Sequence, residues 1–134
     1  MDMKILVAED DFIARKVLCK FLTKYGEVDI TENGKQALDL FRNGLQNGPA
    51  YDLVCLDIMM PQLNGHETLQ AMREAENLVS PDDSPCSIIM TTALDDSENI
   101  LKSFDNQCNG YITKPYSFEK LQTQMDKFLP LSQT

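Results

Sequence analysis

The chain has 134 residues, 43% hydrophobic and 25% charged, with a formal net charge of −9. That length suits one domain with a single core, and that balance excludes a disordered chain. The negative charge opposes nucleic-acid phosphates and anionic membrane surfaces, so no direct nucleic-acid partner and no membrane contact are expected.

In chain order, Lys4-Ile-Leu-Val-Ala8 reads as a short apolar strand with Glu9-Asp10-Asp11 at its carboxyl end. The acids interrupt the apolar run at once and leave no signal-peptide core. No run approaches the roughly 18 apolar residues of a membrane span, so a cytoplasmic protein is expected. Ala14, Leu18, Phe21, Leu22 and Tyr25 then recur at helical spacing, with Asp11 as N-cap and Gly26 as terminator. Val28-Asp-Ile-Thr31 alternates as a second strand. Asn33-Gly34 turns into a helix with Ala37, Leu38, Phe41 and Leu45 on one face, which Asn47-Gly48-Pro49 stops.

Leu53 to Leu56 is an unbroken apolar run, the pattern of a central parallel strand buried on both faces. It ends on Asp57, and Pro61 and Asn64-Gly65 force a loop before a helix carrying Leu69, Met72 and Ala75 to about Leu78. Ser80 to Pro85 is a loop, and Ser87-Ile-Ile-Met-Thr91 is a fourth strand ending at Thr92. A weaker helix over 95–107 has Ile100, Leu101 and Phe104 as apolar contacts. Gly110-Tyr-Ile-Thr113 is a fifth strand, closed by Lys114-Pro115. Ser117 caps a last helix striped with Phe118, Leu121, Met125, Phe128 and Leu129, and 131–134 is a short tail. Five strands alternating with five helices predict a parallel sheet with helices on both faces. Cys19, Cys55, Cys86 and Cys108 form no Cys-x-x-Cys pair and are expected to be buried free thiols. His66, the single histidine, is expected on an exposed helix face and gives no support to a histidine metal site.

The ends of the strands carry the chemistry: Glu9-Asp10 after the first, Asp57 after the third, Thr92 after the fourth and Lys114 after the fifth. In open parallel sheets ligands bind beyond the carboxyl ends of the strands. Clustered acids repel unless a cation lies among them, and carboxylates are hard ligands suited to Mg²⁺. Lys114 and Thr92 can contact a phosphoryl oxygen, and a carboxylate such as Asp57 can act as nucleophile and form an acyl phosphate. Each residue also has an ordinary alternative: Asp57 capping a turn, Glu9 and Asp10 capping a helix, Lys114 on the surface, Thr92 in a strand. Their shared placement at carboxyl-terminal strand ends favours a site.

Ile5-Leu-Val-Ala-Glu-Asp-Asp11, Asp52-Leu-Val-Cys-Leu-Asp-Ile-Met-Met-Pro61 with Asn64-Gly65, Thr92-Ala93 and Gly110-Tyr-Ile-Thr-Lys-Pro115 resemble the receiver domain of two-component response regulators. Glu32-Asn-Gly-Lys-Gln-Ala-Leu38 is similar to the family's entry into the second helix, and the resemblance runs from Lys4 to about Leu129. It implies a flavodoxin-like (βα)5 doubly wound fold with strand order 2-1-3-4-5, and one receiver domain over residues 1–130, of the stand-alone chemotaxis-receiver kind. It also implies Asp57 as phosphoacceptor, Mg²⁺ or Mn²⁺ held by Glu9, Asp10, Asp57 and the backbone carbonyl of Met59, and Thr92 and Lys114 on the phosphoryl group. Tyr111 matches the aromatic switch position, and Lys114-Pro115 a peptide bond that is cis in the family.

The implied donor is a phosphohistidine of a histidine kinase or histidine phosphotransfer protein. The implied output is a downstream protein bound to the face of the fourth helix, fifth strand and fifth helix. Such a chain catalyses only its own phosphorylation and dephosphorylation. The alternative is a Mg²⁺-dependent phosphohydrolase with an aspartyl-phosphate intermediate, which calls for a second acid where Met59 stands. A flavodoxin-like cofactor binder needs a phosphate-cradling first loop, which Glu9-Asp10-Asp11 would repel. Three departures stand out: Glu for Asp at position 9, a long connection from Leu78 to Pro85, and the weak stripe over 95–107. Met59 and Leu94, two positions after Asp57 and Thr92, are apolar where the family places residues beside the hydrolytic water, so a long-lived phosphoryl group is expected.

Overall fold

The apolar run at the middle of the chain becomes the middle of the molecule. In the computed structural model, which describes residues 3–60, 63–79, 85–92 and 108–128, strand β3 (Leu53–Asp57) is buried at every position. β1 (Met3–Ala8) pairs with it on one side and β4 (Ser87–Thr92) on the other, with β2 (Gly26–Thr31) and β5 (Gly110–Thr113) at the edges. All pairings are parallel, in the order β2-β1-β3-β4-β5. Helices α1 (Phe12–Leu22), α2 (Gly34–Asn47), α3 (Gly65–Val79) and α4 (Phe118–Phe128) follow β1, β2, β3 and β5. The predicted helix over 95–107, the loop over 80–84 and the tail over 131–134 lie outside the described residues.

Alternation along β1 and β3 divides the core in two. Leu6, Ala8, Val54 and Leu56 meet Ala37, Leu38 and Phe41 of α2 and Leu69 and Met72 of α3. Ile5, Val7, Leu53 and Cys55 meet Leu18, Phe21 and Leu22 of α1 and Leu121 and Met125 of α4. Each large apolar side chain buried there contributes about 1.5–3 kcal/mol. A one-residue slip of β3 would draw the Asp57 carboxylate into that core, so packing sets where the strand must stop.

Local chemistry sets the helix starts. Ala14 N–H donates to Asp11 Oδ2 at 2.9 Å, and Gln36 N–H to Asn33 Oδ1 at 2.9 Å. Asn64 and Glu67 cap one another at α3, at 2.9 and 3.2 Å. Lys120 N–H donates to Ser117 Oγ at 3.1 Å at α4. Such caps contribute about 1 kcal/mol apiece.

Several boundaries differ from expectation. α1 ends at Leu22 rather than at Gly26, because Lys24 and Tyr25 N–H donate to the Phe21 and Leu22 carbonyls, three residues back instead of four, at 3.4 and 2.9 Å. Tyr25 therefore leaves the helix stripe and packs on Phe21, ring centroids 5.6 Å apart. Gly26 opens β2 instead, where a Cβ would collide with the Met3 backbone. Phe118 is exposed and lies against Phe21 rather than in the core, because it is the first residue of α4. His66 is half-buried, drawn in beside Gly65 at the start of α3. Cys55 and Cys86 are buried as expected, but Cys19 and Cys108 are only partly so; none of the four is in a disulfide.

Gly65 carries the constraint closest to Asp57. Its N–H donates to the Ile58 carbonyl at 2.9 Å. A Cβ there would collide with the Asp57 carbonyl and lie 2.7 Å from Ile58 Cα. Gly65→Ala is expected to cost about 1–3 kcal/mol through overpacking, read as a lower urea midpoint. An unchanged midpoint would show that the loop absorbs the methyl.

Candidate functional site

Because β1, β3, β4 and β5 are parallel neighbours, their carboxyl ends open on one edge. Asp57 is the last residue of β3 and Thr92 the last of β4, one residue beyond Asp57's register partner Thr91. Glu9 follows β1, and its N–H is fixed by the Thr31 carbonyl of β2 at 3.1 Å. Lys114 follows β5, and its N–H donates to the Thr92 carbonyl at 2.7 Å. The Lys114–Pro115 peptide is cis, as the resemblance implied; Gly48–Pro49 is cis as well.

Glu9 and Asp57 are buried at 0% and 2% exposure, whereas Asp10 is exposed. Ligand atoms of the three carboxylates all lie within 4.8 Å of one another. Lys114 Nζ lies between the two buried acids, 2.9 Å from Glu9 and 3.2 Å from Asp57 Oδ2. Met59 N–H donates to Asp57 Oδ1 at 3.2 Å. Tyr116 Oη donates to Glu9 Oε1 at 2.8 Å, and Asp11 N–H to Glu9 Oε2 at 3.2 Å. Asp11 otherwise caps α1.

Burial pushes the Asp57 carboxyl up, the hydrogen bond and charge of Glu9 add to the rise, and Lys114 and Met59 N–H offset only part of it, so it titrates at about 7. Burial also pushes Glu9 up. Hydrogen bonding with Asp57, Lys114 and Tyr116, and the charge of Lys114, outweigh burial and hold Glu9 below the ordinary carboxylate range. Of the two acids, Asp57 is the one that holds a proton more readily. Burial lowers Lys114, but its bond to Glu9 and the charges of Asp57 and Glu9 raise it above an ordinary lysine. This donor set is all hard oxygen, and it is short of positive charge by more than one lysine supplies. A divalent cation fits it.

The family model for the response regulator receiver domain matches residues 5–126. The chain belongs to that family. It is 37% identical over 130 residues to the regulatory protein VanRB of Enterococcus faecalis, covering 96% of this chain and 53% of that protein. The chain thus spans about half of that relative's length. The receiver domain of the Francisella response regulator 1452 superposes with a TM-score of 0.70 at 30% identity, covering 95% of this chain and 96% of that one. The receiver domain of the Saccharomyces cerevisiae response regulator Ssk1, solved with the histidine phosphotransfer protein Ypd1, has a TM-score of 0.79 at 24% identity, with 95% and 88% covered.

Within this receiver fold, Glu9, Asp10, Asp57, Thr92 and Lys114 come to the same edge. Met59 directs its side chain outward at 62% exposure, and Tyr111, on β5, is 45% exposed. Leu94 lies outside the described residues. Tyr116 is the residue sequence reasoning missed: 107 positions separate it from Glu9. The available signal was its place two residues after Lys114, in the segment leaving the same strand end.

A folded-state value near 7 against an ordinary Asp value of about 4 fixes the sign of a pH effect. The native chain binds the Asp57 proton more tightly, so its stability falls as pH rises between those values. In chelator, Asp57→Asn is expected to melt higher than the unmodified chain. That advantage is full above about pH 7, shrinks below it and is gone near pH 4. A constant difference across pH 4–8 would contradict it.

Proposed function

We propose that Asp57 accepts a phosphoryl group from the phosphohistidine of a histidine kinase or histidine phosphotransfer protein, and that the modified chain then changes its protein contacts. The observation that carries this reading is the Lys114 ammonium set between Asp57 and Glu9 at an otherwise acidic strand edge. In the transfer, an Asp57 carboxylate oxygen bonds to phosphorus while the P–N bond breaks, its electron pair leaving with the imidazole nitrogen. Lys114 pairs with a phosphoryl oxygen, and the Thr92 hydroxyl donates to another. When bound by Glu9, Asp10, Asp57 and the Met59 carbonyl, Mg²⁺ or Mn²⁺ supplies the positive charge that favours ionised Asp57 and offsets the phosphoryl oxygens. Movement of Thr92 toward the phosphoryl group and burial of Tyr111 would alter the face built on β5 and α4, where we place the downstream contact. The chain turns over no separate substrate in this reading; a phosphohydrolase would need an acid where Met59 stands.

The test is exposure to Mg²⁺ and acetyl phosphate followed by intact mass. One added phosphate is expected, absent in Asp57→Asn. Labelling that survives the substitution would sink the assignment.

The donor side has its own support. Phe12 and Ile13, at 61% and 71% exposure, and Val17 form an apolar strip on α1 just past the acids. α1 carries Arg15, Lys16 and Lys20 and no acid, in a chain of net charge −9. That surface suits a partner with an apolar strip and acidic rim, and a phosphotransfer protein is the kind of partner crystallised with the Ssk1 receiver. Ile13→Glu is expected to slow transfer from a phosphorylated histidine phosphotransfer protein roughly tenfold, an interface residue's usual scale, while leaving acetyl phosphate labelling unchanged. Equal slowing with both donors would place the effect in the pocket instead.

Lifetime follows from position 59. The exposed Met59 side chain cannot hydrogen-bond a water in line with the Asp57–phosphorus bond. Met59→Asn is expected to speed phosphate loss several-fold, the equivalent of roughly 1 kcal/mol in the barrier, followed by intact mass after donor removal. An unchanged or slower loss would reject this role.

A further inference from the structure

Glu9 is wholly buried, so a donor that it loses cannot be replaced by solvent. It is also one methylene longer than aspartate and has one more torsion to fix before its carboxylate can serve as a ligand. Beside its hydrogen bond with Asp57, that carboxylate accepts from Lys114, Asp11 and Tyr116. Lys114 Nζ lies 2.9 Å away but is shared with Asp57. Asp11 N–H donates to Oε2 at 3.2 Å. Tyr116 Oη donates to Oε1 at 2.8 Å, in a bond it shares with neither of the other acids among the hydrogen bonds of the described residues.

We propose that Tyr116 is a positioning residue for the divalent cation: its hydroxyl fixes the Glu9 carboxylate beside Asp10 and Asp57 before the cation arrives. This rests on the reading that Glu9, Asp10 and Asp57 hold that cation. An entering cation competes with Lys114 for the same carboxylates. Tyr116, a neutral single donor, keeps Oε1 while Lys114 gives way. The orientation of Glu9 is then set by the fold instead of by the ion, and the cost of ordering it is met on folding. The geometry ties Tyr116 to glutamate in particular. An aspartate at position 9, one methylene shorter, draws its carboxylate back from the phenol, so its orientation would owe nothing to the hydroxyl.

The test is a double-mutant cycle read by calorimetric titration with Mg²⁺ alone, on the unmodified chain, Tyr116→Phe, Glu9→Asp and the double variant. Tyr116→Phe removes one oxygen and retains the ring that fills the space. It is expected to weaken Mg²⁺ binding about tenfold when Glu9 is present, the scale of one hydrogen bond to a charged group. In the Glu9→Asp background the same change is expected to cost less than about twofold, since that bond is already gone. Equal losses in both backgrounds, or none with Glu9 present, would overturn the inference. A second reading does not depend on the folding of Tyr116→Phe: the Tyr116 hydroxyl proton should exchange slowly enough for NMR in the unmodified chain and be lost in Glu9→Asp. Its persistence in Glu9→Asp would equally overturn the inference. Asp10→Asn separates the two levels. Mg²⁺ binding that Asp10→Asn removes, with no coupling between Tyr116 and Glu9, sinks this inference alone. No Mg²⁺ binding by the unmodified chain sinks the cation reading and this inference together.

Discussion

The interaction on which the site depends is the Lys114 ammonium lodged between Glu9 and Asp57. Two unit charges 4 Å apart interact by about 4 kcal/mol at an effective dielectric of about 20. Adjacent strands that end in acids would therefore press against each other without it. One lysine does not balance the edge. Glu9, Asp10 and Asp57 bring three negative charges when ionised and Lys114 returns one, which leaves two uncompensated. Without a cation, a proton on Asp57 relieves one of them; burial raises that carboxyl first, and the bond and charge of Glu9 add to the rise. A divalent ion relieves both. The same deficit explains why the site suits a cation.

The fold supplies this edge through register. β1 and β3 pair from Ile5↔Leu53 to Ala8↔Leu56, which sets Glu9 and Asp57 side by side. β4 and β5 pair up to Thr92↔Thr113, and the Lys114 N–H bond to the Thr92 carbonyl carries that alignment one residue further. Side chains from positions 9, 57 and 114 thus meet although no two of them are near in sequence. Packing of the apolar runs therefore builds the site directly: the core decides where each strand stops, and Glu9, Asp57, Thr92 and Lys114 stand at or one residue past those ends.

The strands were readable because their apolar runs are short, clean and bounded by acids, Gly or Pro; Leu53 to Leu56 is the plainest case, and it is buried throughout. The acid, Thr and Lys constellation was readable because parallel topology turns strand ends into neighbours without knowledge of a single contact. What sequence hid were details decided by a local turn or by long-range contact. Tyr25 fits the helical period of α1 but is taken by the turn, whose bonds from Lys24 to Phe21 and from Tyr25 to Leu22 close the helix early. Phe118 fits the α4 stripe, yet at that helix's first position it finds Phe21 instead of the core. Tyr116 has no period to mark it, only its place two residues after Lys114, since its bond to Glu9 comes from the reach of a phenol across to the end of β1.

Two buried acids of the molecule differ in how their charge is balanced. Glu76, on α3, is buried much as Glu9 is. Its Oε1 meets Arg73 Nη1 at 2.8 Å, and its Oε2 accepts the Cys86 N–H at 2.6 Å. Arg73 donates in turn to the Cys86 carbonyl at 2.9 Å and to Asn109 Oδ1 at 3.1 Å, while Asn109 Oδ1 also accepts the Ile88 N–H at 2.8 Å. Among the described residues one negative charge meets one positive charge, and the remaining capacity goes to the Cys86 and Ile88 backbone and to the Asn109 side chain, at the entries of β4 and β5. That network aligns two strands and asks for nothing more; breaking one partner of such a pair typically costs about 3–5 kcal/mol. At the carboxyl-terminal edge of the sheet, after β1 and at the end of β3, the acids outnumber the cation and one of them is open to solvent. Burial is common to both clusters, so burial does not discriminate between them. Charge balance does: the closed cluster is neutral and fixes the sheet, and the open one is left short of positive charge where a ligand can reach it.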